Sequence, residues 1–287
     1  YYVEDFMFQS LTNFYQRLIM SAFAIVTTVA ILFYSHTPPC NLLYTFAVIL
    51  VQAIALHEFY NICKKKGVEC YGTFAITGSV IYLVLRYFLL SGQAQYCVFS
   101  FFIILFLIAM FAFSFLHPIR DAITKLSTTL FGILYITFPL GFLIDLNFLS
   151  SDQTAKWVAY LIIVTKATDT FSYIVGKQFG KHPLALRISP KKTIEGSIGG
   201  ITAAVVASAL FSVFGILSLD MITLILLGLA LGFFAEVSDL SESLLKRDAH
   251  VKDSSNMPGF GGFLDIVDSL LFTTPVLFFY LHLSQSF

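Results

Sequence analysis

The sequence predicts an all-α, polytopic membrane protein, and three observations carry that prediction. Hydrophobic residues make up 57% of the 287 residues and charged residues only 12%, about half the ~25% of a soluble domain. A soluble core of this size could not hide so much apolar surface, because the surface grows too fast with volume. The apolar residues also fall in runs long enough to cross a bilayer, which takes about 20 residues per helix, and mean hydropathy is +0.84.

Taken in order, the runs predict about nine spans. The first, 18–34, follows the opening YYVEDFMFQS. That opening is acidic where a cleavable signal peptide is basic, so the span is expected to stay as a membrane helix. The second, 42–56, runs toward the basic segment Lys64–Lys66 and can continue through His57–Tyr60. Spans at 71–90, 96–116 and 126–144 complete an N-terminal region, 1–150. Spans at 157–175, 197–217, 221–237 and 263–283 make up a second region, 151–287, expected to be catalytic. With no internal repeat and no low-complexity tract, the two regions read as parts of one membrane domain.

Lys and Arg in the loops predict the orientation. With a cytoplasmic N-terminus, the cytoplasmic segments hold Arg17, Lys64–Lys66, Arg120, Lys125, Lys177, Lys181, Arg187, Lys191, Lys192, Lys246, Arg247 and Lys252, which is 14 of the 17 basic residues. Lys156 alone falls outside, Arg86 and Lys166 lie within spans, and nine spans put the C-terminus outside. Arg86, near the outer end of its span, is expected to snorkel to the interface. The formal net charge is zero, which gives no reason to expect a nucleic-acid partner. Cys40, Cys63, Cys70 and Cys97 have no metal-ligand spacing and read as ordinary membrane-helix residues.

Two basic loops stand apart, 176–196 and 241–262, each flanked by helices that carry carboxylates. Glu236, Asp239 and Glu242 are three residues apart, which keeps them on one side of a helix. Asp265 and Asp268 repeat the spacing at the start of the last span, and Asp169 sits in the sixth. Carboxylates converging at that depth repel one another unless a cation joins them, and Mg2+ suits oxygen ligands completed by substrate phosphates. In SPKKT, Lys191 and Lys192 follow a Ser-Pro turn among Ser189, Thr193 and the Glu195-Gly196 pair, a mixture of cations and hydroxyls that suits phosphate. Lys246, Arg247 and Lys252 supply cations on the second loop, and Gly259, Gly261 and Gly262 allow close backbone approach. Lys166 and Asp169, one turn apart, are expected either to neutralise each other or to face a hydrophilic cavity, and Glu58 could join that cavity. The chemistry is that of a phosphorylated, partly lipidic substrate and of phosphoryl or nucleotidyl transfer without a protein nucleophile.

Two motifs then resemble a known family. DTFSYIVGKQFGKHPLALRISPKKTIEGSIGG (169–200) and SDLSESLLKRDAHVKDSSNMPGFGGFLDIVDS (238–269) are similar to the signature segments of the phosphatidate cytidylyltransferases, or CDP-diacylglycerol synthases; the resemblance covers roughly 160–283. It implies conversion of CTP and phosphatidate to CDP-diacylglycerol and pyrophosphate in phospholipid synthesis. It also implies dependence on Mg2+, with a second, monovalent cation left open, and a homodimer among membrane lipids, in a bacterial inner membrane with the site facing the cytoplasm. By motif position, Asp239 and Asp265 would be the leading metal ligands, supported by Asp268, Glu242 and Asp169. Ser189, Lys191, Lys192, Thr193, Lys246, Arg247, Lys252 and Asp253 would line the substrate phosphates, with Glu195, Gly261 and Gly262 beside them. The chain carries Phe260 where the family usually has His and Ile266 where it usually has Arg. A phosphate nucleophile is already largely deprotonated near neutral pH (second pKa about 6), so the reaction needs no protein acid or base at position 260. The alternatives are a CTP-dependent lipid kinase, a cytidylyltransferase for another lipid phosphate, an ion-coupled transporter and an inactive relative with a scaffolding role.

Overall fold

A computed structural model describes residues 38–89, 95–116, 120–149, 154–255 and 262–285. The predicted span 18–34, with Arg17 before it, lies outside them, as do Phe260, Gly259 and Gly261. Eight helical rods follow the other eight predicted spans: α1 (Pro38–Lys65), α2 (Gly72–Leu89), α3 (Gln95–Ser114), a rod made of α4 (Ala122–Gly132) and α5 (Phe138–Leu149), then α6 (Thr154–Phe179), α7 (Ile194–Val213), α8 (Met221–Asp248) and α9 (Phe263–Gln285). Among the described residues, seven of these rods are long and apolar enough to cross a membrane. The architecture is that of a polytopic helical membrane protein.

Several helices outrun their apolar segments. α8 continues eleven residues beyond position 237, through Asp248, because SDLSESLLKRD keeps a strong helix former at most positions and needs no lipid to stay helical. Its start is defined by Asp220, whose side chain accepts the Thr223 N–H at 3.0 Å and is held below the usual carboxylate range by its bonds to Thr223. Between α4 and α5 the rod loosens into a π-turn, Ile133–Thr137. There Thr137 accepts a 2.7 Å hydrogen bond from the buried Gln52 amide of α1, which also donates to Ser79 of α2 at 3.0 Å. Both N–H groups of the amide nitrogen are thus paired and join three helices, while its buried Oε1 has no partner among the described residues.

Arg86 does not snorkel. Its guanidinium is buried and forks onto Asp145 of α5: Nε donates to Oδ1 at 2.6 Å and Nη2 pairs with Oδ2. Nη1 donates to Tyr82 at 2.6 Å, and the Phe142 ring lies 4.8 Å from Cζ. The reason is Asp145, an oppositely charged group on a neighbouring helix that satisfies the fork inside the fold.

The loop between α6 and α7 holds a small antiparallel hairpin, β1 (Pro183–Ala185) with β2 (Ser189–Thr193), where the sequence suggests only a turn. SPKKT is therefore a strand, with Pro190 tolerated because a two-stranded ribbon is all edge. Thr193 ends β2 in extended backbone and caps α7, its hydroxyl accepting from the Gly196 N–H at 3.1 Å.

α6, α7, α8 and α9 pack as the most intimate group, and close backbone approach makes this possible. A Cβ on Gly200 of α7 would lie 1.9 Å from Ser172 Oγ and 2.8 Å from the Thr168 carbonyl of α6. One on Gly228 of α8 would lie 3.0 Å from the Ala204 carbonyl of α7. Small residues at crossings are the usual means by which membrane helices gain contact. The buried cluster that includes Leu161, Leu231 and Phe278 also takes in Tyr44, Tyr82 and Ile144, so the N-terminal helices share a core with α6–α9.

Candidate functional site

The tight α6–α7 crossing leaves a polar cavity of about 480 Å3 beside it. α6 contributes Asp169, Ser172, Gly176 and Lys177; β2 and the start of α7 contribute Lys191, Lys192, Thr193, Gly196 and Ser197; α8 contributes Glu236 and Asp239. Gly196 is required here, since a Cβ would meet the Ser172 carbonyl at 2.7 Å. Lys192, delivered by the hairpin, spans the two α8 carboxylates: its Nζ is 2.7 Å from Asp239 Oδ2 and 3.3 Å from Glu236 Oε2. Burial works to lower the Lys192 pKa, but Asp239 and Glu236 outweigh it and hold the ammonium above the ordinary lysine range. Ser172 and Ser197 both donate to Glu236, the latter at 3.2 Å.

A second group adjoins the first through Lys166. Its Nζ donates to Asp169 at 2.9 Å, to Ser269 of α9 at 3.1 Å and to the Ile266 carbonyl at 3.0 Å. The expected Lys166–Asp169 pair thus forms and is tied to α9, and Ser269 also donates to Asp169 at 3.0 Å. Asp268 is buried, accepts the Ser269 N–H at 2.5 Å and lies within electrostatic range of Asp239 and Asp169.

The remaining acidic residues are committed elsewhere. Lys246 is ion-paired with both Glu242 and Asp265, the latter at 2.5 Å. Asp265 also accepts the N–H and hydroxyl of Ser254, each at 3.0 Å. The same Ser254 hydroxyl proton is shared with Glu58 of α1, whose Oε2 lies 2.8 Å from Oγ. Glu58 then accepts the first two N–H groups of α9, Phe263 at 3.1 Å and Leu264 at 2.9 Å, placing a carboxylate where the helix dipole favours it. Gly262 fits between these groups: a Cβ would meet Ser254 Oγ at 1.9 Å and Glu58 Oε2 at 2.6 Å.

The predicted set therefore divides. Asp169, Asp239, Lys191, Lys192 and Thr193 share the cavity, and Asp268 is buried outside its lining. Glu195 faces the hairpin, accepting the N–H groups of Lys181 and His182 at 3.1 and 3.2 Å and pairing with the His182 ring at 2.6 Å. Arg247 braces the same hairpin through the Ile188 carbonyl at 3.1 Å. Ser189 is half-buried on β2, and Lys252 and Asp253 are exposed. Ser172, Ser197, Lys177 and the central place of Glu236 were not among the candidate site residues. The spacing of Asp169, Ser172 and Gly176 on one helical face was the available signal.

No three acidic, His or Cys side chains among the described residues form a metal-binding group; Lys246 and Lys192 stand between the carboxylates proposed as ligands. The chemistry of the cavity nonetheless fits Mg2+. Asp169 and Asp239 line it beside lysines, Asp268 is repelled by both, and Mg2+ bound with substrate phosphates takes only one or two protein carboxylates.

A cavity of lysines, hydroxyls and carboxylates in a helical membrane protein suits phosphorylated substrates at a bilayer. The chain matches the cytidylyltransferase family over residues 15–284. It is 31% identical over 294 residues to a phosphatidate cytidylyltransferase of Chlamydia pneumoniae, covering 96% of this chain and 94% of the relative. It is 33% identical over 280 residues to one of Bacillus subtilis, covering 93% and 97%. A phosphatidate cytidylyltransferase of Staphylococcus haemolyticus is 41% identical over 122 residues, covering 42% of this chain and 47% of the relative. The chain belongs to the cytidylyltransferase family.

Proposed function

We infer that the chain is a phosphatidate cytidylyltransferase, transferring CMP from CTP to phosphatidate to give CDP-diacylglycerol and pyrophosphate in phospholipid synthesis. The observation that carries the reading is the cavity in which Lys177, Lys191 and Lys192 face Asp169, Glu236 and Asp239, in a chain of this family. A phosphatidate oxygen attacks the α-phosphorus of CTP, the α–β phosphoanhydride bond breaks, and pyrophosphate leaves. Lys191 and Lys177 offset the phosphate charge, and Lys192 orients against Asp239 and Glu236. Ser172 and Ser197 hold Glu236 in place. Positioning and charge neutralisation suffice for such a transfer.

Mg2+, when bound, would supply Lewis-acid stabilisation of the leaving pyrophosphate. Asp239 would hold it, with Asp169 and Asp268 adjacent; Asp265 and Glu242, engaged by Lys246, support the site's frame. A second, monovalent cation beside it stays part of the proposal. The basic loops favour an N-terminus and a site on the cytoplasmic side of a bacterial inner membrane, and nine spans and a homodimer stay part of the proposal. Purified protein in detergent is expected to form CDP-diacylglycerol from CTP and phosphatidate with Mg2+ and not with EDTA. Asp239→Asn is expected to lose at least 100-fold in kcat at an unchanged unfolding temperature, the scale of a lost electrostatic group. Release of CDP in place of pyrophosphate would assign the chain to the lipid kinases instead.

A further inference from the structure

Tyr135 is buried in the π-turn that joins α4 to α5, and its hydroxyl has no hydrogen-bond partner among the described residues. Three aromatic rings hold the side chain in place. Phe131 stacks on it with centroids 5.6 Å apart, Phe272 of α9 meets it edge-on at 6.1 Å, and Phe59 of α1 lies tilted at 6.4 Å. A long side chain on a helix leans toward the helix N-terminus, which for this rod is the end carrying the basic segment Arg120–Lys125. The hydroxyl therefore points to the acidic ends of α8 and α9, where Glu242, Asp268 and Asp239 lie within electrostatic range of it. Asp239 lines the polar cavity, and Phe272 follows Asp268 by one helical turn. Phe at position 135 would keep every ring contact and leave no orphaned oxygen. A buried hydroxyl without a partner calls for a functional reason, and π-turns occur often at functional sites.

We propose that Tyr135 is a positioning residue of the polar site, whose hydroxyl donates to the Glu242 carboxylate when substrate phosphates enter. The proposal rests on the reading of the cavity as a phosphate site and adds the residue that keeps its acidic frame paired. The three carboxylates in range differ in what they already hold. Asp239 is paired with Lys192, and Asp268 accepts the Ser269 N–H. Glu242 has the Lys246 ion pair, and neither of its oxygens accepts a further hydrogen bond among the described residues. Phosphate competes with Glu242 and Asp265 for the Lys246 ammonium. When Lys246 turns to phosphate, Asp265 keeps the Ser254 N–H, whereas Glu242 is left bare. A buried carboxylate that loses its cation is strongly unfavourable, and the Tyr135 hydroxyl is the idle donor in range. The aromatic clamp leaves only the O–H bond free to rotate, so the donor reaches its partner without rearranging the turn.

Tyr135→Phe removes one oxygen and keeps the ring contacts, so it separates a structural role from a positioning one. For the full chain purified in detergent without ligand, its unfolding temperature is expected to equal or exceed the parent's. The Kd for CTP with Mg2+, measured by calorimetry, is expected to rise at least ten-fold, equivalent to about 1.4 kcal/mol. In a Glu242→Gln background the same substitution is expected to cost less than three-fold, because the lost bond no longer ends on a charge. A lower unfolding temperature without ligand shows a hydroxyl already partnered and overturns the proposal. An unchanged Kd, or an equal loss in both backgrounds, overturns it as well. If the parent binds CTP and forms no CDP-diacylglycerol, the reaction assignment fails and the same comparison still decides Tyr135. If the parent binds neither CTP nor inorganic pyrophosphate with Mg2+, the phosphate site fails and the proposal falls with it.

Discussion

Glu58 shows how much one side chain can organise. It accepts two N–H groups at the start of α9 and the Ser254 hydroxyl, and through Ser254 it reaches Asp265. Hydrogen bonds to a charged acceptor are worth about 1.5–3 kcal/mol. Glu58→Ala is therefore expected to lower stability by roughly 2 kcal/mol or more and to reduce kcat. Glu58→Gln, which keeps one acceptor, is expected to recover part of both; thermal unfolding in detergent with parallel assays measures this, and equal effects of the two variants would refute it. At the other buried pair, removing only Arg86 or only Asp145 leaves an uncompensated charge and should cost about 3–5 kcal/mol. Replacing both, Arg86→Met with Asp145→Leu, should restore much of that loss, and a double-mutant cycle on unfolding midpoints would show the coupling.

Among the elements, the crossing of α6 and α7 governs the shape of the polar cavity. Gly200 has no room for a Cβ, because one neighbour is the Thr168 carbonyl, a backbone atom that cannot rotate away. Gly200→Leu is expected to force the helices apart at a cost of about 1–3 kcal/mol, and to lower activity further because Ser172, on the same face of α6, loses its place beside Glu236. A variant with parental activity and melting temperature would show that the helices separate freely. The hairpin acts on the same cavity from above. It carries Lys192 down to Asp239, while Glu195 and Arg247 hold its base and tip.

For the whole molecule, the loop charges predict which face is which, and labelling can test it. In a cysteine-free background, Lys156→Cys, at an exposed position near the start of α6, should react with a membrane-impermeant maleimide in intact cells. Arg120→Cys, exposed between α3 and α4, should react only after permeabilisation. The reverse pattern would invert the proposed orientation and put the polar cavity outside.

The apolar runs by themselves determined the eight described helical rods though not where several of them end, because a bilayer leaves a 20-residue apolar segment few alternatives to helix. The motif segments likewise identified Asp169, Asp239, Lys191, Lys192 and Thr193, which do share one cavity. Long-range pairing was not legible. Nothing local to Arg86 marks Asp145, 59 positions away, as its partner, and nothing near Glu58 reveals a helix start some 205 positions on. The same limit applies to the four carboxylates proposed as one metal set. Their spacing placed them on common helix faces, but only packing decided that Lys246 holds Glu242 and Asp265 while Lys192 holds Asp239. Periodicity reports what a residue's own helix does with it; the charge it meets depends on which helix comes to lie alongside.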